Sequence, residues 1–244
     1  MFYFDDFYGK KILKSTLLKD VDCFFTTRDF VLMSSLREDL KEEAEKNVAF
    51  LEEKFNAKTI RVKQTHSSNI AVADGKCFYY DDTDAVVSNL PNSLMFLNFA
   101  DCVPIILYSK KDNTGAIVHA GWRGTAAKIV SKTVLKMQKE LNIEPSNITA
   151  LIGPAIGKCC FETGQEVFEQ LIDKDTDEKI YNKKSDKYYI DLKLLNANQL
   201  EKAGVKNIDI CDYCTSCMSD IFFSYRKENG ITARHSAVLK IKGE

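Results

Sequence analysis

Histidine is scarce in this chain: three of 244 residues, His66, His119 and His235, alongside a single tryptophan. A blue multicopper oxidase needs on the order of ten imidazole ligands across its copper centres, so three histidines exclude that class. Proline and glycine number only four and eleven, with no repeat or low-complexity tract, so no internal boundary is visible. Residues 1–244 are therefore expected to form one domain. No stretch approaches the roughly 18 uninterrupted apolar residues that cross a bilayer, and residues 1–8 lack the basic-then-apolar order of a secretion signal. A cytoplasmic location without membrane partners is the expectation. Lysine and arginine (34) nearly balance aspartate and glutamate (35), for a net charge of −1. That lacks the basic excess of nucleic-acid binders, so no nucleic-acid partner is expected.

What is present is an ordinary globular composition, 45% hydrophobic and 28% charged, sufficient for a substantial core. Eight cysteines without a secretion signal read as reduced thiols or ligands rather than a disulfide framework.

Periodicity predicts mixed α and β structure. Ser35-Leu-Arg-Glu38 has the form of a capping box, and Leu40, Ala44, Val48, Leu51 and Phe55 mark one face of a helix. Residues 59–66 alternate, placing Ile60, Val62, Gln64 and His66 on one face of a strand that His66 closes. The apolar run 93–108, interrupted at Pro104, reads as two buried strands joined at Asp101-Cys102-Val103-Pro104, with a break beside Cys102. Residues 115–119 form a further strand, and Ala126, Ile129, Val130, Val134, Met137 and Leu141 the apolar stripe of the next helix. A strand over 147–152, a loop over 153–157 and a helix over 166–172 follow. Asp191 caps a helix ended by Gly204, and 221–225 and 237–241 supply late strands.

His66 and His119 fall at predicted strand ends, with Cys102 between them in sequence. Two imidazoles and a thiolate suit zinc; three protein ligands leave a fourth position for water, whose pKa zinc lowers to about 7. Their separations are not a local zinc-finger spacing, and histidines satisfied by hydrogen bonds are the commoner case. The glycine turn after His119 favours close ligand approach; His235 has no such context. Cys211, Cys214 and Cys217 lack a nearby fourth cysteine and read as buried thiols, and adjacent Cys159 and Cys160 are poorly placed for a disulfide with one another. Gly153 and Gly157 bracket a loop whose N–H groups are candidates to cradle a phosphate. Arg123 and Arg226 are candidate anion holders, with structural ion pairs as the alternative. Trp122, Phe161 and Tyr225 are candidates to stack on a flat ring, or else packing residues. Asp101 is the nearest carboxyl to Cys102; in a regular strand it would face away, and the Pro104 break is what would turn it inward.

Taken together, Gln64-Thr-His66, Ala100-Asp-Cys102-Val-Pro104, His119-Ala-Gly-Trp-Arg-Gly124, Ile152-Gly-Pro-Ala-Ile-Gly157-Lys-Cys-Cys160 and Phe222-Phe-Ser-Tyr-Arg226 resemble the YfiH-like family. That bacterial group is also labelled polyphenol oxidase, laccase-domain protein or peptidoglycan editing factor. The resemblance covers nearly the whole chain after about residue 20. It implies a single-domain layered α-β-β-α fold and a catalytic zinc on His66, Cys102 and His119. The same ligands would accept a lone copper, but not a multicopper set. It further implies phosphorolysis of adenosine, inosine, guanosine and S-methyl-5′-thioadenosine to base and sugar 1-phosphate, plus adenosine deamination, with purine nucleosides and phosphate as partners. Cys102, Asp101 and Arg123 are then the expected catalytic residues, and Gln64, Gly153, Gly157 and Arg226 the substrate and phosphate side. Ala155 stands where the family commonly has cysteine, so no thiol acts there. Two other readings compete: a cysteine amidase editing peptidoglycan precursors, with Cys102 as nucleophile and His119 as its base, and a non-catalytic zinc-binding interaction protein.

Overall fold

The computed structural model describes residues 1–33, 37–174 and 176–243. Among these, five helices flank two large sheets: α1 (Lys41–Phe55), α2 (Trp122–Ala126), α3 (Ile129–Leu141), α4 (Gln165–Leu171) and α5 (Leu192–Lys202). The seven-stranded sheet runs, in spatial order, Phe2–Phe7, Lys10–Ser15, Cys23–Thr26, His235–Lys240, Ser93–Phe99, Lys58–Val62 and Tyr79–Tyr80. The six-stranded sheet runs Asn207–Ile210, Ile148–Ile152, Val103–Ser109, Thr114–Ala120, Ala85–Ser88 and Ile70–Val72.

The central strands of both sheets are buried on both faces, and three side-chain clusters show why. Leu13, Phe25, Ile60 and Leu97 of one sheet meet Val86, Ile106, Ile117 and Leu151 of the other, forming the layer between them. On the outer face of the six-stranded sheet, Val103, Ile105 and Val118 pack against Val130, Val134 and Met137 of α3 and Leu195 and Leu200 of α5. On the opposite outside, Phe24, Leu94, Phe96 and Val238 receive Val48 and Leu51 of α1. The order of layers is helix, sheet, sheet, helix, as the family resemblance implied. Full burial of each such side chain contributes roughly 1.5–3 kcal/mol before chain entropy is offset.

Several local readings hold. The Asp191 side chain accepts the Leu194 amide at the start of α5, and Gly204 follows that helix with φ +92°. The apolar run divides into strands Ser93–Phe99 and Val103–Ser109, which lie in different sheets, so residues 100–102 carry the chain from one layer to the other. Other readings are corrected. The strand before His66 ends at Val62, and His66 lies beyond it in the left-handed region, with φ +63°. Residues 221–225 are not a strand: Ile221 and Phe222 donate backwards to the Met218 carbonyl in turns. Phe222 and Phe223 are both buried, each in a different cluster, without pairing to either sheet. The capping box at Ser35 lies outside the described residues, and Leu40 at the start of α1 makes no side-chain cap.

His235 is a core residue, fully buried between Phe99 and Phe222. Burial pushes its pKa from 6.5 down to about 3, and Arg234 and Arg28 add to the depression. The unfolded chain therefore takes up a proton below pH 6.5 that the folded protein refuses. Stability should fall as pH drops from there toward 3, by up to about 1.4 kcal/mol per unit from this residue. Urea titrations across that range should show a shallower slope for His235→Phe; an unchanged slope would contradict the assignment.

Candidate functional site

The site forms where the chain crosses between sheets. Strands Val103–Ser109 and Thr114–Ala120 form an antiparallel hairpin whose register sets His119 opposite Pro104 and Ala120 opposite Val103. Extending that register by one pair brings Gly121 opposite Cys102. A Cβ on Gly121 would lie 3.0 Å from the Cys102 Sγ and 3.2 Å from the His66 Cδ2, so the close approach of these groups depends on glycine there. The donor atoms of His66, Cys102 and His119 all lie within 4.8 Å of one another. Their imidazole rings meet edge to face with centroids 4.8 Å apart.

Asp84, fully buried before strand Ala85–Ser88, organises this group and was not singled out by sequence. One carboxylate oxygen lies 2.7 Å from the His119 Nδ1 and accepts the His66 amide at 3.1 Å. The other accepts the Ser67 amide at 2.7 Å, the Ser67 hydroxyl at 2.8 Å and the Thr65 amide at 3.1 Å. Burial would raise the Asp84 pKa, but His119 and these donors hold it well below the usual carboxylate range. By engaging Nδ1, Asp84 directs the His119 Nε2 toward the group and locks the loop that carries His66. Burial would likewise raise the Cys102 thiol, yet the two imidazoles outweigh it and bring its pKa down to about 6. His119 moves the other way: burial lowers it, while Cys102 and Asp84 raise it to about 9. The thiol is poised as a thiolate, the form that binds a metal.

These residues open onto a cavity of about 590 Å³, within the size range of small-molecule sites. Trp122, Phe161 and Tyr225 all line it, so the three aromatic candidates do share one space. Arg123, Arg226 and Arg234 line it as well. The Arg123 guanidinium stacks 4.3 Å from the Trp122 ring centroid and, among the described residues, forms no ion pair. Arg226 is braced by the carbonyls of Cys160 and Glu162 at 2.9 and 3.1 Å. Arg234, which sequence reasoning passed over, leans on the Thr232 and Ala233 carbonyls.

Three expected roles change. The Asp101 carboxylate does turn toward the cavity, at φ +86°, but it accepts the Thr215 hydroxyl at 2.6 Å and the Arg226 amide at 2.7 Å. It organises the wall, and both oxygens already hold a donor. Gln64 lines the cavity, yet its amide pairs with the Asn98 backbone in both directions, at 2.8 and 2.9 Å, extending the sheet edge. The 153–157 loop does not offer a phosphate cradle. Gly153 N–H donates to the Pro104 carbonyl, Ile156 N–H to the Asp101 carbonyl, and Gly157 N–H to the Cys214 Sγ. Gly153 is required for packing, since a Cβ there would sit 2.3 Å from the buried Phe25 ring.

Comparison with known proteins agrees with this geometry. A family model described as "Multi-copper polyphenol oxidoreductase laccase" matches residues 29–242. A purine nucleoside phosphorylase of Clostridium acetobutylicum is 33% identical over 228 residues, 92% of this chain and 95% of the relative. Another of that name, from Bacteroides thetaiotaomicron, is 37% identical over 149 residues, which span 59% of this chain and 55% of the relative. Among solved structures, Bacillus licheniformis YfiH superposes with a TM-score of 0.87 at 27% identity, covering 98% of this chain and 99% of that one. YlmD from Geobacillus stearothermophilus gives 0.86 at 27% identity, covering 98% of both. The copper of the family description finds only two imidazoles at the His66, Cys102 and His119 group, far short of a multicopper set. With matches along most of its length in both sequence and structure, the chain belongs to the YfiH-like, laccase-domain family.

Proposed function

We propose that the chain is a zinc-dependent purine nucleoside phosphorylase converting adenosine, inosine, guanosine and S-methyl-5′-thioadenosine to base and sugar 1-phosphate, with adenosine deamination in the same pocket. The supporting observation is what shares the cavity: three aromatic side chains, three guanidinium groups and the His66, Cys102, His119 group. The relatives' names, purine nucleoside phosphorylase, point to purine nucleosides and phosphate as the substrate class.

The donor set fits zinc: two imidazoles and a thiol of lowered pKa, converging within 4.8 Å. Zinc bound there would supply a Lewis acid. The remaining work falls to the chain. In phosphorolysis a phosphate oxygen bonds to the sugar C1′ as the C1′–purine bond breaks and its electron pair leaves with the base. Arg123, Arg226 and Arg234 supply the positive field that binds and orients phosphate. Trp122, Phe161 and Tyr225 offer faces on which a purine stacks and sheds water. Asp101 positions the backbone of Arg226 and the hydroxyl of Thr215.

Steady-state kinetics tests the division of labour. Arg123→Ala should raise the KM for phosphate by about tenfold or more while moving the nucleoside KM little. Equal effects on both substrates, or none on phosphate, would count against a phosphate subsite at this arginine.

One arrangement favours a second reading. Asp84, His119 and Cys102 stand in the order of a carboxylate, imidazole and thiol triad, as a cysteine amidase requires. The second imidazole of His66 on the same thiol suits a metal ligand better than a free nucleophile. Metal-free protein that remains active and is inactivated by alkylation of Cys102 would reverse that preference.

A further inference from the structure

Cys159 and Cys160 follow the 153–157 loop, and Cys214-Thr-Ser-Cys217 lies more than fifty residues on, yet the fold joins them. Ala155 bridges to Cys214, and the Thr215 amide donates to the Ala155 carbonyl. The four sulfur atoms then lie within 4.8 Å of one another. Cys217 Sγ is 3.6 Å from Cys159 Sγ and 3.5 Å from Cys160 Sγ. Four sulfurs about 2.3 Å from a tetrahedral zinc are separated by about 3.8 Å, so this cluster is near the size such an ion imposes. A disulfide network explains the arrangement less well. Cys217 approaches Cys159 and Cys160 almost equally, at separations close to those of sulfurs sharing one ion, and the geometry selects neither as a disulfide partner.

The surroundings are also those of a thiolate site. Gly157 N–H points at the Cys214 Sγ at 3.2 Å, a donor that stabilises negative sulfur. A Cβ on Gly157 would lie 3.2 Å from both the Cys159 Sγ and the Cys214 Cβ, so glycine lets the loop close on the cluster. Four thiols this close cannot all ionise without a cation among them.

We propose that Cys159, Cys160, Cys214 and Cys217 form a second metal site, a closed four-thiolate zinc centre separate from the His66, Cys102, His119 group. Four protein ligands leave no open position, so the centre is structural. It clamps the 157–161 turn to the 214–217 turn. The first carries Phe161 and the Cys160 carbonyl that braces Arg226; the second carries Thr215, which holds Asp101. The clamp therefore fixes one wall of the cavity.

The test compares full-length wild-type protein, Cys102→Ala and Cys159→Ser/Cys217→Ser, each produced with added zinc and purified under reductant. Zinc per chain is counted, and cobalt-substituted samples are recorded in the visible and near ultraviolet. The expected result is about two zinc ions in the wild type and about one in each variant. Cobalt in Cys102→Ala should show the intense sulfur charge-transfer bands of a four-thiolate centre, and Cys159→Ser/Cys217→Ser only the several-fold weaker absorption of the single Cys102 thiolate. If the double variant does not fold, Cys102→Ala decides alone by keeping or losing its metal. A wild type with a single zinc that disappears in Cys102→Ala would overturn the proposal. So would a second zinc that survives loss of Cys159 and Cys217, or a disulfide within the cluster found by intact mass in place of metal.

Discussion

Cys102→Ala is expected to empty the pocket's metal group and reduce nucleoside phosphorolysis by well over 100-fold, with little change in fold. The loss should exceed the roughly 10–100-fold typical of removing an outer partner of a metal ligand, because the ligand itself goes. Alanine leaves His66 and His119 as two imidazoles, and it removes the sulfur that faces Gly121. The thiol is partly buried at the margin of the inter-sheet cluster, and the substitution removes only its sulfur, so the structural cost should be small. Zinc counting, circular dichroism and turnover on one preparation separate these effects. Full activity in Cys102→Ala would show that neither metal binding nor thiol chemistry at this position matters.

Asp84→Asn should be the most damaging change that touches neither substrate nor metal. The native carboxylate accepts three backbone amides, a hydroxyl and the His119 Nδ1 with no exposure to water. Asparagine replaces one acceptor by an NH2 donor, which must then face donors already in place. Leaving such groups unpaired costs about 1–3 kcal/mol each, and more when charge is lost. The substitution also frees the His119 ring to turn or change tautomer. Zinc affinity should therefore fall by roughly 10–100-fold, accompanied by a loss of stability of about 3 kcal/mol or more. Competition with a chromophoric chelator and urea unfolding read the two separately. Wild-type affinity in Asp84→Asn would mean that His119 is oriented by something else.

Much of this architecture is legible in the sequence where the signal is local. Asp191 announces its helix because the cap and the apolar positions are adjacent, and the break at Asp101 to Pro104 is visible as an interrupted apolar run. The metal group was readable because histidine is so scarce, with the family resemblance fixing the choice. What the sequence conceals depends on contacts across the fold. Asp84 looks like any residue before a strand; only the hairpin register and the His66 loop bring five donors to it. Cys159 and Cys160 appear isolated from Cys214 and Cys217 because the bridge between Ala155 and Cys214 is tertiary. The loop from Gly153 to Gly157 reads as an anion cradle because glycines are there, but those glycines serve the close packing of Phe25 and the cysteine cluster. Residues 221–225 imitate a strand because aromatic residues favour both sheets and buried turns.

The aromatic, cationic and metal-binding groups of the one cavity are expected to act together on a purine nucleoside and phosphate. Chromatography of adenosine incubated with zinc-quantified protein, in phosphate and in phosphate-free buffer beside Cys102→Ala, tests this joint action most directly. Adenine and ribose 1-phosphate should form only where phosphate is present, inosine from deamination in both buffers, and none of them from the variant. Unchanged adenosine, with zinc fully bound and phosphate in excess, would contradict that joint action.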